Sequence, residues 1–254
     1  MENKKKEKTK IDIILPNYNS SQFIIRTIKS ILNQTYKSWK LIIVDDFSNK
    51  ETQDILKKFS KKNKIKVYWS NKNRGAGYSR NYAIKKSNSP YLAFIDSDDV
   101  WKKDKLKKQI NFMKKNNCSF SYTNYETFGD KKKKVNNPSK LSYSSFIKNT
   151  SIATSTMMVK RNKIKNIRFT NTKICEDYFF KCKLLKKIDF ALCLNQYLTK
   201  YRIRKGSLQS SNLKNFYWIW KINSDFNKLN FFNNLISLLF ISLIAGGRLT
   251  IICA

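Results

Sequence analysis

The sequence predicts an α/β chain with a mostly parallel sheet flanked by helices, and three observations carry that reading. Four apolar runs of about five residues recur through the first 115 residues without polar alternation, as strands buried on both faces require. Each run ends at a turn or a group of acids. Each is followed by apolar residues at helical spacing, the alternation that builds a parallel sheet.

After a basic leader over 1–9, Ile11 to Leu15 is the first strand, stopping at Pro16-Asn17-Tyr18-Asn19. Ser20 or Ser21 caps the next helix, in which Ile24, Ile28, Ile31 and Leu32 form one core-facing stripe. Leu41 to Val44 is a second strand, ended by Asp45-Asp46, and Ile55, Leu56 and Phe59 mark a helix. Ile65 to Trp69 is a third strand, Asn71 to Gly77 a loop with two glycines, and Ser79 to Lys86 a helix. Tyr91 to Ile95 is the fourth strand, ending at Asp96-Ser97-Asp98-Asp99 ahead of a helix on Leu106, Ile110 and Met113. Ser119 to Tyr125 alternates like a half-exposed strand, Gly129 to Lys140 is a basic polar loop, and Ile152 to Val159 reads as one more strand. These segments make one domain over 10–210. A helical, partly apolar tail covers 211–254, where Leu235 to Ala245 is strongly apolar but too short to span a bilayer before Arg248. Two readings of the tail stay open: a helix in a membrane interface aided by Lys214, Lys221 and Lys228, or one closing the core or a dimer contact.

Composition narrows the chemistry. With 41% apolar and 14% aromatic residues, the 254-residue chain can bury a core despite 52 Lys+Arg against 17 Asp+Glu and a net charge of +35. The charge fits a phosphate-rich partner or an anionic membrane, but most of it is scattered lysine pairs of the kind that drift in composition supplies. The absence of histidine excludes Ser-His-Asp and Cys-His catalysis and His-ligated zinc. Five scattered cysteines without a CxxC pair, and no apolar signal run at the start, point to a reducing cytoplasmic setting.

The scarce acids carry more information. Asp45-Asp46 and Asp96/Asp98/Asp99 each follow a predicted parallel strand, so both belong to the carboxyl-end rim where open α/β sheets bind ligands. Glu176-Asp177 opens a later helix through Phe180 and Leu184. Adjacent carboxylates raise one another's pKa unless a cation is shared, and hard oxygen ligands favour magnesium or manganese. Helix capping and turn formation explain single members of each cluster, but not three Asp in four residues.

Five segments resemble glycosyltransferase family 2 in order and spacing: Ile13 to Asn19, Ser30 to Tyr36, Ile43 to Ser48, Asn73-Arg74-Gly75 with Ser79-Arg80-Asn81, and Phe94 to Asp99. Glu176-Asp177-Tyr178 and Tyr201 to Ser207 are similar to the family's later motifs, so the resemblance covers about residues 10 to 210. It implies a GT-A, Rossmann-like catalytic domain that moves a sugar from a nucleoside-diphosphate donor, a UDP-sugar first, to a glycan or lipid-linked acceptor with inversion. Surface polysaccharide synthesis at the inner face of the cytoplasmic membrane is the expected setting. By the same resemblance Pro16 and Tyr18 line the nucleobase pocket, Asp46 accepts from the base, and Arg80 reaches the nucleotide. Asp96 and Asp98 form the Asp-x-Asp motif, with Asp98 on a manganese or magnesium ion and Asp96 on the ribose or the metal. Asp99 faces the donor sugar or acceptor, and Asp177, beside Glu176, is the catalytic base.

Elementary chemistry agrees with these roles. A carboxylate can take the acceptor's proton at neutral pH, and a metal with Arg202, Arg204 or Lys205 can neutralise the departing diphosphate. The segment Tyr201 to Ser207 departs from many relatives, which carry a His there; this chain has Arg204 or Lys205. Residues Lys173-Ile174-Cys175 also stand where relatives often have a small or Gly-rich approach. Two other classes compete. A basic nucleic-acid binder would want arginines interleaved with aromatics, but only eight of the basic residues are Arg. A metal-dependent nucleotidyltransferase would want a Gly-rich loop where Pro16-Asn17-Tyr18-Asn19 stands.

Overall fold

A computed structural model describes residues 9–172, 174–204 and 212–248. Its centre is a ten-stranded sheet, counted among the described residues. Strands β1 (Ile11–Asn17), β2 (Trp39–Asp45), β3 (Ile65–Trp69) and β4 (Tyr91–Phe94) lie parallel in the order β3-β2-β1-β4. The sheet continues through β9 (Met158–Lys160), β6 (Phe120–Gly129), β10 (Ala191–Ile203) and β5 (Val100–Trp101). Here β6 and β10 run parallel, while β9 is antiparallel to both β4 and β6. Two short strands, β7 (Lys134–Val135) and β8 (Lys140–Leu141), pair antiparallel with β6 and β10. The sheet is thus parallel on the first-half side and mixed on the other.

The pleat of β1 explains the two layers beneath and above it. Ile11, Ile13 and Leu15 enter one apolar cluster with Ile24, Ile28 and Ile31 of α1 (Ser21–Leu32), Leu56 of α2 (Lys50–Ser60) and Leu106, Ile110 and Met113 of α4 (Lys105–Lys115). Ile14 enters the other, with Ala83 and Ile84 of α3 (Ala76–Lys86), Phe146 of α5 (Tyr143–Phe146) and Phe179, Phe180 and Leu184 of α6 (Glu176–Lys187). Full burial of β1 and β4 is why their sequences read as unbroken apolar runs.

Several expectations need correction. Ser20 precedes α1, but its hydroxyl donates to Asn17 Oδ1 instead of capping the helix. Helix α3 starts at Ala76, so Gly77 lies inside it and not in the loop. The strand from Phe120 is buried on both faces along its first six residues, because β9 and β10 flank it and helices cover it. Its apparent alternation reflects Ser121 and Thr123, small polar side chains that are fully buried. The stretch predicted as a strand over 152–159 is a 3-10 turn, Thr154–Thr156, with only Met158–Lys160 in the sheet. The basic loop over 129–140 contains β7 and the start of β8.

The tail forms two helices, α7 (Asn212–Asp225) and α8 (Phe231–Arg248). Ile219, Ile222 and Ile241 join the core cluster shared with α6. Tyr178 donates to Asn223 Oδ1 at 2.8 Å, and Ser237 Oγ donates to the Ile147 carbonyl at 2.6 Å. The tail therefore closes the domain along one side. Cys118, Cys175, Cys182 and Cys193 are buried thiols, not disulfides. Among the described residues no helix is long and apolar enough to cross a membrane.

Candidate active site

The carboxyl ends of β2, β1 and β4 lie side by side and present Asp45-Asp46, Pro16 to Asn19 and Asp96 to Asp99 on one rim. The two acids after β2 do different work. Asp45 accepts from Asn17 Nδ2 at 2.7 Å, Ser48 Oγ at 2.6 Å and Ser48 N–H at 3.1 Å, which ties the β1 and β2 turns together. Asp46 reaches the other way. Its carboxylate accepts from Arg74 N–H at 3.0 Å and Gly75 N–H at 2.6 Å, holding the loop before α3. The pair thus does the turn-forming work that the sequence allowed for two acids after a strand. Pro16 is buried in β1, whereas Tyr18 is 51% exposed at its end, an open ring beside the Asp46 clamp.

Gly75 has φ +88°, a conformation that suits glycine. At Gly77 the reason for glycine is space. A Cβ there would collide with the Thr170 carbonyl and press on Glu176 Cγ at 3.2 Å. Helix α3 thereby comes close enough to bring Arg80 under the acids. Gly77→Ala should cost about 1–3 kcal/mol, read as a lower denaturant midpoint with an unchanged slope.

Arg80 is the hub of the site. Its buried guanidinium donates to Asp96 Oδ1 at 2.6 Å and Glu176 Oε1 at 2.5 Å, joining residues that follow β4 and open α6. Burial opposes its charge, but Asp96, Glu176 and Asp177 outweigh that and raise its pKa. Arg80 also lies 5.3 Å over the Phe169 ring, and Asn81 pins Phe169 by exchanging two 2.9 Å hydrogen bonds with its backbone. The Ser-Arg-Asn motif is thus a brace for the acids. The Arg80 side chain is only 5% exposed.

The three Asp after β4 diverge. Asp96 N–H donates to Ser155 Oγ at 2.9 Å, so the Thr154–Thr156 turn forms the floor of the site. Asp98 points to the rim with Arg204 Nε 3.5 Å away, and its carbonyl accepts from Arg202 Nε at 3.2 Å. Burial and the charge of Asp96 raise the Asp98 pKa, with Arg204 partly opposing them. Asp99 is buried. Its Oδ1 takes the Arg202 N–H at 2.8 Å, and its carbonyl accepts from Thr27 Oγ1 at 2.7 Å. Asp99 thus clasps β10 to α1, and burial with Asp98 and Asp96 raises its pKa well above the carboxylate range. Arg202 stacks over Phe23 at 4.5 Å and Phe128 at 4.3 Å, while Arg204 lies 5.3 Å over Phe23. Arg26 meets Phe128 at 5.2 Å, a third cation that sequence reasoning missed. Lys205 lies outside the described residues.

The acids opening α6 are equally distinct. Cys175 precedes them at φ 60°, so the approach where relatives carry small residues does take a left-handed turn, here with a buried cysteine. Glu176 faces Arg80, and burial raises its pKa against that guanidinium's pull. Asp177 is fully buried. Its Oδ2 accepts from Thr154 Oγ1 at 2.7 Å and from Lys181 Nζ at 2.5 Å, while Oδ1 has no hydrogen-bond partner among the described residues. Thr154 and Lys181 were not singled out from sequence; the i,i+4 spacing of Asp177 and Lys181 on one helix was the available signal.

A rim of carboxylates braced by arginine, beside an exposed ring on a parallel sheet, accords with the family model that matches residues 12–184, "Glycosyl transferase family 2". The chain belongs to glycosyl transferase family 2. This glycosyltransferase is 35% identical over 226 residues to Bacillus subtilis TuaG, named as a teichuronic acid biosynthesis glycosyltransferase, covering 87% of this chain and 90% of TuaG. It is 34% identical to Escherichia coli WfgD, a UDP-Glc:alpha-D-GlcNAc-diphosphoundecaprenol beta-1,3-glucosyltransferase, over 85% of this chain and 86% of WfgD. The fold is that of Staphylococcus aureus TarS, solved with UDP: the TM-score is 0.70 at 20% identity, covering 94% of this chain and 70% of the TarS chain. The expected α/β architecture and glycosyltransferase class thereby hold.

Proposed function

We propose that this enzyme transfers a hexose or N-acetylhexosamine, with inversion, from a UDP-linked donor to a hydroxyl of a glycan or lipid-linked acceptor in surface polysaccharide synthesis. Its support in the geometry is the rim acid Asp98, which burial and Asp96 load with unfavourable negative charge while Arg204 offsets it only in part. Such a site gains from a cation that arrives with a diphosphate. The UDP-Glc donor named for WfgD and the UDP held by TarS favour UDP over other nucleotides.

Tyr18 stacks on the base above Pro16. Asp46 holds the Arg74-Gly75 loop through two N–H donors, that of Arg74 shared between both oxygens, and keeps room to accept once from the base. Asp98 with Asp96 would hold a manganese or magnesium ion. Among the described residues no group of three His, Cys, Asp or Glu is placed to bind a metal; donor oxygens and water would complete the shell. The two carboxylates are hard oxygen donors with charge in excess, which fits such an ion. Bound there, it supplies charge neutralisation to the diphosphate. Arg202 and Arg204 meet the same leaving group, with Lys205 the remaining candidate. Asp99 acts by holding β10 in place.

In the reaction the acceptor oxygen bonds to the anomeric carbon as the bond to the β-phosphate oxygen breaks. The acceptor proton passes to the Asp177 carboxylate, and UDP leaves with the bonding electrons. The unpartnered Oδ1 of Asp177 is the atom able to take that proton. Glu176 and Arg80 hold Asp96 and the start of α6 at fixed separation.

A panel of nucleotide sugars with manganese, UDP-Glc first, should show hydrolysis or transfer with one donor. Failure of every donor to bind, together with tight DNA binding, would defeat this reading. Tyr18→Ala should weaken UDP about 10- to 100-fold in calorimetry, the range of base–aromatic stacking, and leave thermal stability unchanged because the ring is exposed.

A further inference from the structure

Helix α8 buries polar side chains beside Leu238 and Ile241 on its inner side and exposes large apolar ones on its outer side. Its buried positions include Asn234 and Ser237, both fully enclosed, with Ile241 one turn on. Asn234 Nδ2 donates to the Trp220 carbonyl at 3.1 Å and to Ser224 Oγ at 3.0 Å, while its Oδ1 accepts from Asn223 Nδ2 at 3.1 Å. The outward face instead carries Phe231, Phe232, Leu235, Leu239, Phe240 and Leu243, of which Phe232 and Leu243 are 73% and 74% exposed. A helix on a protein bathed only in water has the opposite arrangement, and a contiguous apolar face of this extent marks an interaction surface.

What surrounds this face selects its occupant. Trp220 packs edge-on against Phe231 at 5.5 Å, and Tyr217 against Trp218 at 5.8 Å, amphipathic rings of the kind that gather at bilayer interfaces. Lys148 Nζ stands 5.5 Å from the Phe240 ring and Lys221 Nζ 5.6 Å from Trp218, so cations border the apolar surface. Neither Asp nor Glu occurs in α8. A second copy of a chain with net charge +35 would be repelled, whereas an anionic leaflet attracts both the lysines and the apolar face.

We propose that α8 lies along the surface of an anionic bilayer, its outward face sunk among the acyl chains and Lys148 and Lys221 at the headgroups. The inward face bolts the helix to the catalytic domain, so the domain is held at a set height over the lipid. The inference goes beyond the donor chemistry and stands independently of it.

The test is flotation of the full chain on vesicles of phosphatidylglycerol and phosphatidylcholine, compared with phosphatidylcholine alone. The chain should float with the anionic vesicles and weaken with salt. A triple variant, Phe232→Ser, Leu239→Ser and Leu243→Ser, should lower its partition about a hundredfold or more while its melting temperature stays unchanged, since all three side chains are exposed. Equal flotation of the triple variant would assign binding to lysines alone and overturn the proposal. So would equal binding to neutral vesicles, no flotation of the wild type, or a dimer in sedimentation that the triple variant dissolves without vesicle binding.

Discussion

Asp98→Asn is expected to lower sugar transfer about a hundred- to a thousandfold, the scale of losing one preorganised electrostatic contact to developing charge. The same change should leave the fold as stable or make it more stable. The ionised Asp98 is disfavoured in the folded chain by burial and by Asp96, so removing its charge relieves the native state. The sign with pH follows. A carboxyl whose folded pKa is raised contributes stability that is full below its unfolded value and lost as pH rises through the raised folded one. Asp98, Asp99 and Glu176 all act in that direction, from ordinary values of 3.8, 3.8 and 4.5 upward. The melting temperature of the wild type without ligands should fall as pH rises across this window. UDP with manganese should restore part of it at neutral pH, and chelation should remove that gain. In Asp98→Asn both the fall and the rescue should shrink. Full activity in Asp98→Asn, or a loss of stability matching the loss of activity, would remove Asp98 from its proposed place.

Asp177→Asn should have the largest effect on both activity and stability, and the two losses can be separated. The single variant leaves the Lys181 ammonium buried without its carboxylate, and breaking such a pair costs about 3–5 kcal/mol. The double variant Asp177→Asn with Lys181→Met removes both charges at similar volume and should recover most of that stability. If Asp177 takes the acceptor's proton, the double variant stays inactive although it is folded and still binds UDP. Denaturant unfolding, UDP calorimetry and transfer assays on both proteins read the three quantities. Recovery of turnover in the double variant would show that Asp177 serves the fold alone.

Much of the architecture was legible because parallel strands buried on both faces leave an unmistakable trace. Ile11 to Leu15, Leu41 to Val44 and Tyr91 to Phe94 could hardly be anything else, and β3 has the expected limits Ile65 to Trp69. The acids were legible as a rim because each group follows a strand, and strand ends share an edge in a parallel sheet. Less legible was the second half. The 3-10 turn at Thr154–Thr156 looks like a strand in sequence because small β-branched and apolar residues are common to both, and only its place beneath Asp96 shows its use.

Local sequence, then, determined the periodicities, the family motifs and which residues carry charge, since spacing along the chain fixes which side chains share a helix stripe or strand face. It could not determine partners. Arg80 meets Glu176 across 96 residues and Asp99 meets Arg202 across 103. Those meetings exist because sheet order sets β10 beside β6 and β5, and because Gly77 lets α3 close on α6. Tertiary packing likewise decided that Arg80 braces Asp96 and Glu176, that Asp99 clasps β10, and that α8 turns Asn234 inward and its phenylalanines out. In each case the reason is the same. A charge or amide buried by the fold must find its partner wherever the chain brings one, and that place is not written in spacing.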